Sequence, residues 1–408
     1  MSADAQPPTD EPPTAAGAVP GEGPIEPGLT SGASRIPPIR MLDALAPIEA
    51  ELVPLPDAGR LPHPNLLLAL LLALLPVALQ VIASMWTSTW ILMVWTMVRR
   101  FTQGRWGQPA EVAEAINDVL VPLATSTNLL VAVVVVGLAF GRRAPQRVAW
   151  RNCSALQWLL TFLLVPPLAL VASEVSNCMS LTLDLFQPDW LENFTQENSQ
   201  VFADFAQQSW IVVFLGACLL PGVGEEIYCR GLIGRGLVAR YGVWAGTIFA
   251  AFIFAAMHIE PVQASSAFVL GIALQYLFLT TRSLAAPILL HVLNNFGAFL
   301  VLRYDQAFHI PGLSLPPDGT IVHTPVWLLT AALAAIGFLS GVLYQTRTQW
   351  LLPNQDRWSP GYVTAESPPA ELQARAVSAR PHGLLVVLTL TAYAAFLASL
   401  IAAHQPPA

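Results

Sequence analysis

Residues 205–230 read FAQQSWIVVFLGACLLPGVGEEIYCR. Positions 205–224 carry only one kind of burden: no side chain but uncharged ones after Asp204, so at ~1.5 Å rise per residue they make a helix long enough to cross ~30 Å of hydrocarbon. Directly behind that run stand Glu225, Glu226 and Arg230, three charges within six positions. Ionisable groups at membrane depth are costly, so each is a functional hypothesis when it faces a cavity or a partner. The stretch reads as a spanning helix that carries chemistry.

The rest of the chain agrees. Of 408 residues 54% are hydrophobic and 11% charged, against about 25% charged for an ordinary soluble domain. That shortage excludes a water-soluble globular enzyme, because lipid-facing surface needs no charge and water-facing surface does. Further uncharged runs cover 61–98, 119–141, 152–173, 241–259, 261–281, 283–302, 319–346 and 381–408. The fold class expected is all-α: a polytopic transmembrane helical bundle of about eight to ten spans, with a disordered N-terminal tail. The span count is least certain in 61–98, which suits one long tilted helix or a span plus an interfacial piece near Trp86 to Trp95.

Residues 1–60 hold 12 of the 35 prolines and nine acids against three Arg, a composition too poor in apolar side chains to offset ordering entropy. This Pro-rich acidic tail accounts for most of the net charge of −7. The absence of a basic region and apolar run at Met1 argues against a cleaved signal peptide. The domains expected are the tail (1–60), N-terminal transmembrane helices with an acidic loop (61–204), a functional core (205–305) and C-terminal transmembrane helices (306–408). Arg142, Arg143, Arg147, Arg151, Arg230, Arg235, Arg240, Arg282, Arg347, Arg357, Arg375 and Arg380 fall on one side, the cytoplasmic one by the positive-inside rule. Arg99, Arg100 and Arg105 dissent, unless 111–119 is an interfacial amphipathic helix. Cys153, Cys178, Cys218 and Cys229 form no pair or regular spacing and are expected to be packing residues.

Few other polar groups interrupt the apolar core: His258, and His291 with Asn294 and Asn295. Glu226 and Arg230, four apart, share a helix face and suit an ion pair, whereas Glu225 points ~100° away. An unpaired Glu225 in a low-dielectric surrounding meets the condition for a general base. His291 and Asn295 are also four apart and present an imidazole beside an amide. Such a set suits a bound water with oxyanion donors, or a metal held by Glu225, His258 and His291; both point to hydrolysis. Taken singly, the pair is accounted for by helix orientation, each histidine by packing, and Asn294 by a bond to a neighbouring helix.

The three motifs EExxxR, FxxxH and HxxxN, in this order on successive apolar segments, resemble the CPBP family of CAAX prenyl proteases and bacteriocin-processing intramembrane proteases. That family includes the Ras-converting enzyme and the bacterial Abi proteins. The resemblance covers about 205–305, with His258 and His291 following Arg230 by 28 and 61 positions. It implies that Glu225 is the catalytic carboxylate, that His258 joins it in activating water, and that His291 and Asn295 form the oxyanion site, with Glu226 and Arg230 in support. It implies an endopeptidase for a membrane-associated substrate, prenylated CAAX-type substrates included, with membrane lipid and peptide as partners and no nucleic acid. It also implies a multi-pass protein of the bacterial cytoplasmic membrane. The cofactor stays open between none and a divalent metal such as zinc. Cys229 departs from the family's common aromatic before the Arg, and Tyr228 is expected to take over that packing.

The competing readings are a proton-coupled transporter, which would predict an internal repeat where no motif recurs, and a non-catalytic immunity or scaffold protein. HExxH, GxSG and GxGD motifs are all missing, which excludes the site-2, rhomboid and presenilin types. One geometric conflict stands within this reading. A straight span from Arg240 puts His258 ~27 Å deep, whereas His291 lies only ~13 Å from Arg282 on the same side. Tilted or re-entrant segments, a buried helix over 225–240, or a turn before Pro261 would reconcile the two depths.

Overall fold

The computed structural model describes residues 62–104, 109–186, 199–304, 310–313 and 321–404, with side chains of 109–120 excluded. The expected tail over 1–60, Arg105 and residues 187–198 of the acidic loop expected over 174–204 lie outside the described residues, and the start of that loop is instead helical as the end of α3. Among those described, eight helices are long and apolar enough to cross a membrane, the lower end of the expected range. They are α1 (Leu66–Gln103), α2 (Pro109–Phe140), α3 (Ala155–Asp184), the long stretch Trp210–Ala256, α6 (Pro261–Thr281), α7 (Ala285–Arg303), α8 (Val326–Gln345) and α9 (Gly383–Ala403). Within the long stretch, α4 (Leu220–Tyr228) and α5 (Arg235–Ala256) are separated by the π-helical turn Cys229–Gly234, and a second π-helical turn, Phe214–Leu219, precedes α4.

Local signals start and stop these helices. The Asn65 side chain accepts from the Leu68 backbone N–H at 2.9 Å and caps α1, which then runs unbroken to the left-handed Gly104. The first apolar run is thus one helix of 38 residues, without a separate interfacial piece. Residues 111–119, expected as an interfacial helix, are instead part of the continuous α2. Ser154 and Gln157 form a capping box on α3. The Glu260 carboxylate caps α6 through Val262 and Gln263, with Pro261 at the first helical position.

α5 is not one straight helix. Gly242 takes φ 77°, ψ 177°, a conformation essentially closed to side-chain-bearing residues, and the chain reverses there. Val238 and Gly246, each four positions from Gly242, meet so closely that a Cβ on Gly246 would lie 2.5 Å from Val238 Cα. The runs at 205–224 and 241–259 are therefore joined as a helical hairpin.

The arginine-bearing segments gather at one end. Arg151 donates to the carbonyls of Arg282, at 2.7 Å, and Thr281, and to Thr348 Oγ1 at 2.8 Å. Arg147 and Arg235 both pair with Glu366. Between α8 and α9 the chain forms a polar layer, with β1 (Gln349–Leu351) antiparallel to β2 (Arg375–Val377). α1 starts beside Gly236 at this end, so Arg99 and Arg100 lie at its far end as the sequence suggested, the end where α7 also finishes in Arg303. Three cysteines are at least partly buried, but Cys178 is exposed, which corrects its reading as a packing residue.

Candidate active site

Two glycines before the acidic pair let α4 sink between its neighbours. A Cβ on Gly222 would lie 2.7 Å from Val292 Cγ2 on α7, and one on Gly224 would lie 2.8 Å from Leu129 Cα on α2. Val292 is the residue after His291, so the close approach at Gly222 brings the acidic pair to the imidazole. The sequence held this signal in PGVG, directly ahead of Glu225, and its steric meaning was missed.

Glu226 is fully buried, and its Oε1 accepts from Arg230 Nη1 at 2.7 Å and from His291 Nδ1 at 2.9 Å. The ion pair expected from the four-residue spacing is present; its contact with His291 is new. A carboxylate only accepts, so Nδ1 of His291 carries the proton and Nε2 is left with its lone pair. That Nε2 is 3.9 Å from Glu225 Oε2, a buried oxygen with no hydrogen-bond partner. Arg230, 2% exposed, also donates to Gly271 O at 3.2 Å on α6 and stacks 4.3 Å over the Phe254 ring.

Phe254 is the hub that sequence reading took only as a spacing mark. Its ring meets His258 edge-on at 4.9 Å and His291 at 5.7 Å between centroids, so it seats both imidazoles and the guanidinium. Its own carbonyl lies 2.9 Å from His258 Nδ1. A carbonyl only accepts, which leaves Nε2 of His258 as a free lone pair. Asn295, one turn beyond His291, donates to Ala217 O at 3.2 Å in the first π-helical turn. One of its two amide hydrogens is thereby engaged. Tyr228 is buried with its hydroxyl bonded to Leu72 O at 2.7 Å, and Cys229 packs on Met257.

The hairpin resolves the conflict of depth. Arg230 and Phe254 each stand twelve positions from Gly242, and Glu225 and His258 stand 17 and 16 positions away, ~26 and ~24 Å along their arms. Glu226 is nine positions from Arg235, and His291 nine from Arg282, ~13 Å in each case. The site therefore sits ~13 Å from the arginine end, and the hairpin tip projects ~10 Å past that level. Measuring depth from Arg240, near the tip, was what overestimated the depth of His258.

The family model described as Rce1-like, Type II CAAX prenyl endopeptidase Rce1-like, matches residues 207–297. Over these residues the chain is similar to CAAX-type (CPBP) intramembrane proteases. The match spans α4, the Gly242 hairpin, α6 and most of α7, and thus every residue of the cluster just described. No curated protein and no solved structure matches the chain. A metal set of Glu225, His258 and His291 is a poor fit to this CPBP core as it stands. Among the described residues, the one group of three His, Cys, Asp or Glu ligand atoms all within 4.8 Å of one another is Glu174, Cys178 and His323.

Proposed function

We propose that the chain is a glutamate-dependent endopeptidase that cuts a membrane-associated, CAAX-type protein substrate near its C-terminus. One observation carries this reading: a buried, partnerless Glu225 Oε2 stands 3.9 Å from the Nε2 of an imidazole whose other nitrogen is held by Glu226. Polar atoms at such a separation suit one bridging water, and an orphaned buried oxygen calls for one. Glu225 takes a proton from that water as its oxygen adds to the scissile carbonyl. The water's other hydrogen goes to the lone pair of His291 Nε2, which orients it, and the lone pair of His258 Nε2 is the alternative acceptor. The second amide hydrogen of Asn295 is offered to the developing oxyanion. As the C–N bond breaks, Glu225 returns the proton to the leaving nitrogen.

Glu226 and Arg230 act through His291 by fixing its tautomer and ring. The ligand atoms of Glu225, His258 and His291 do not converge as a metal triad, and the Glu225 carboxylate alone serves as the base in this reading. The substrate is expected to be prenylated, the location the cytoplasmic membrane of a bacterium, and lipid the surrounding partner; these rest on the family alone.

The test is cleavage of farnesylated and unmodified CAAX peptides by purified protein in detergent, with and without chelator, beside Glu225→Gln. Chelator-resistant cleavage that Glu225→Gln abolishes is the expected result. Chelator-sensitive cleavage would replace the mechanism with a metal-dependent one, and proton-coupled transport without cleavage would replace the function.

A further inference from the structure

Toward the far end of α3 from Arg151, Glu174 and Cys178 stand one turn apart, and His323 reaches them from the segment leading into α8. Glu174 Oε1 is 2.8 Å from His323 Nδ1 and 3.8 Å from Cys178 Sγ. All three ligand atoms lie within 4.8 Å of one another. We propose that Glu174, Cys178 and His323 form a binding site for a divalent, borderline-soft cation, with Zn²⁺ the best match, separate from the peptidase site.

The ligand types and the distances agree with that ion. Zinc takes thiolate at ~2.3 Å and imidazole nitrogen or carboxylate oxygen at ~2.0–2.1 Å in tetrahedral geometry. Those lengths put sulfur about 3.5 Å and nitrogen about 3.3 Å from the carboxylate oxygen. The separations of 3.8 and 2.8 Å fall either side, so adjustments of about half an ångström bring both pairs to those values.

The surroundings hold the ligands in place. The other carboxylate oxygen of Glu174 accepts from the Thr324 backbone N–H at 2.8 Å, which turns Oε1 toward the imidazole and thiol. Ser173 and Asn177, flanking on the same helix, both donate to Gly312 O, at 2.6 and 3.1 Å, and fix that face of α3 to the 310–313 segment. A Glu174–His323 ion pair alone would give Cys178 no role. Here an exposed thiol stands beside both groups, whereas Cys218 and Cys229 are buried. Cys178 and His323 are exposed, so the fourth position is open to water. Binding releases the thiol proton to solvent, and the proton that His323 Nδ1 holds in its bond to Glu174 passes through solvent to Nε2, so that two bonds to the ion replace that hydrogen bond. The ion would staple α3 to the entry of α8.

The test uses the full chain, purified in detergent under reducing conditions, stripped of metal and titrated with Co²⁺. One Co²⁺ per chain with a thiolate-to-cobalt charge-transfer band is expected. The band should vanish in Cys178→Ser, vanish or need far more Co²⁺ in His323→Ala, and persist in Cys153→Ser and Glu225→Gln. Zn²⁺ should raise the melting temperature of the wild type and of Glu225→Gln but not of Cys178→Ser. No band in the wild type at saturating Co²⁺, or an unchanged band in Cys178→Ser, overturns the proposal. If His323→Ala does not fold, Cys178→Ser decides, since a serine at an exposed position keeps the size of the side chain. Glu225→Gln separates this site from the catalytic reading, because it removes cleavage and leaves cobalt binding untouched.

Discussion

Two adjacent glutamates differ in what surrounds them. Each keeps one buried oxygen without a partner, but Glu226 shares its other oxygen between a guanidinium and an imidazole, while the free oxygen of Glu225 stands 3.9 Å from the Nε2 of His291. Glu225→Gln should lower the cleavage rate by about 10²–10⁴-fold and leave the melting temperature unchanged, as measured by peptide cleavage and thermal unfolding in the same detergent. Glu226→Gln should behave differently. It leaves Arg230, 2% exposed, without its counter-charge, and removing one partner of a buried pair costs about 3–5 kcal/mol, so the melting temperature should fall along with activity. Retained stability would contradict the pairing. The pair itself was legible from the four-residue spacing. The bond from His291 Nδ1 to Glu226 was not, because it joins residues 65 positions apart on different helices.

Among elements, the Gly242 hairpin does most to assemble the site. It was hard to read because the charges at Arg230, Arg235 and Arg240 look like a loop between two spans, whereas Arg230 and Arg235 are buried inside a helical arm. Uncharged runs report lipid contact; they do not report where a helix continues through a protein-lined interior. Gly242→Val should cost about 1–3 kcal/mol, since valine cannot comfortably take φ 77°, ψ 177°, and thermal unfolding would measure it. A melting temperature equal to wild type would mean that the reversal does not depend on glycine. Gly222→Val probes the opposite contact. A side chain there pushes α7 away at Val292, so cleavage should fall more steeply than stability, read as kcat against melting temperature.

At the scale of the whole molecule, most of the described arginines gather at one end as the positive-inside rule suggested, Arg99, Arg100 and Arg303 excepted, and the polar layer between α8 and α9 explains how they are held. Glu366, 2% exposed, receives Arg147 and Arg235 and a hydroxyl bond from Tyr362 at 3.2 Å, where burial pushes the phenol's pKa up. Sequence reading placed 347–380 among loops because its charges are spaced too closely for a span, and no periodicity marks a layer built from turns and a three-residue ladder. Glu366→Gln should lower the melting temperature by several degrees and speed proteolysis within 353–380, measured by limited digestion; an unchanged digestion pattern would count against the clasp. The same clasp bears on autonomy. The segment that matches the protease family is under a quarter of the chain. It contains Arg235 but not the carboxylate that neutralises it, and α7 is seated against α3, which also lies outside the match. Excised at its family boundaries, the core would expose that cation to an apolar interior with no counter-ion. The smallest portable unit of this enzyme is therefore set by its counter-charges and reaches at least from α3 to Glu366.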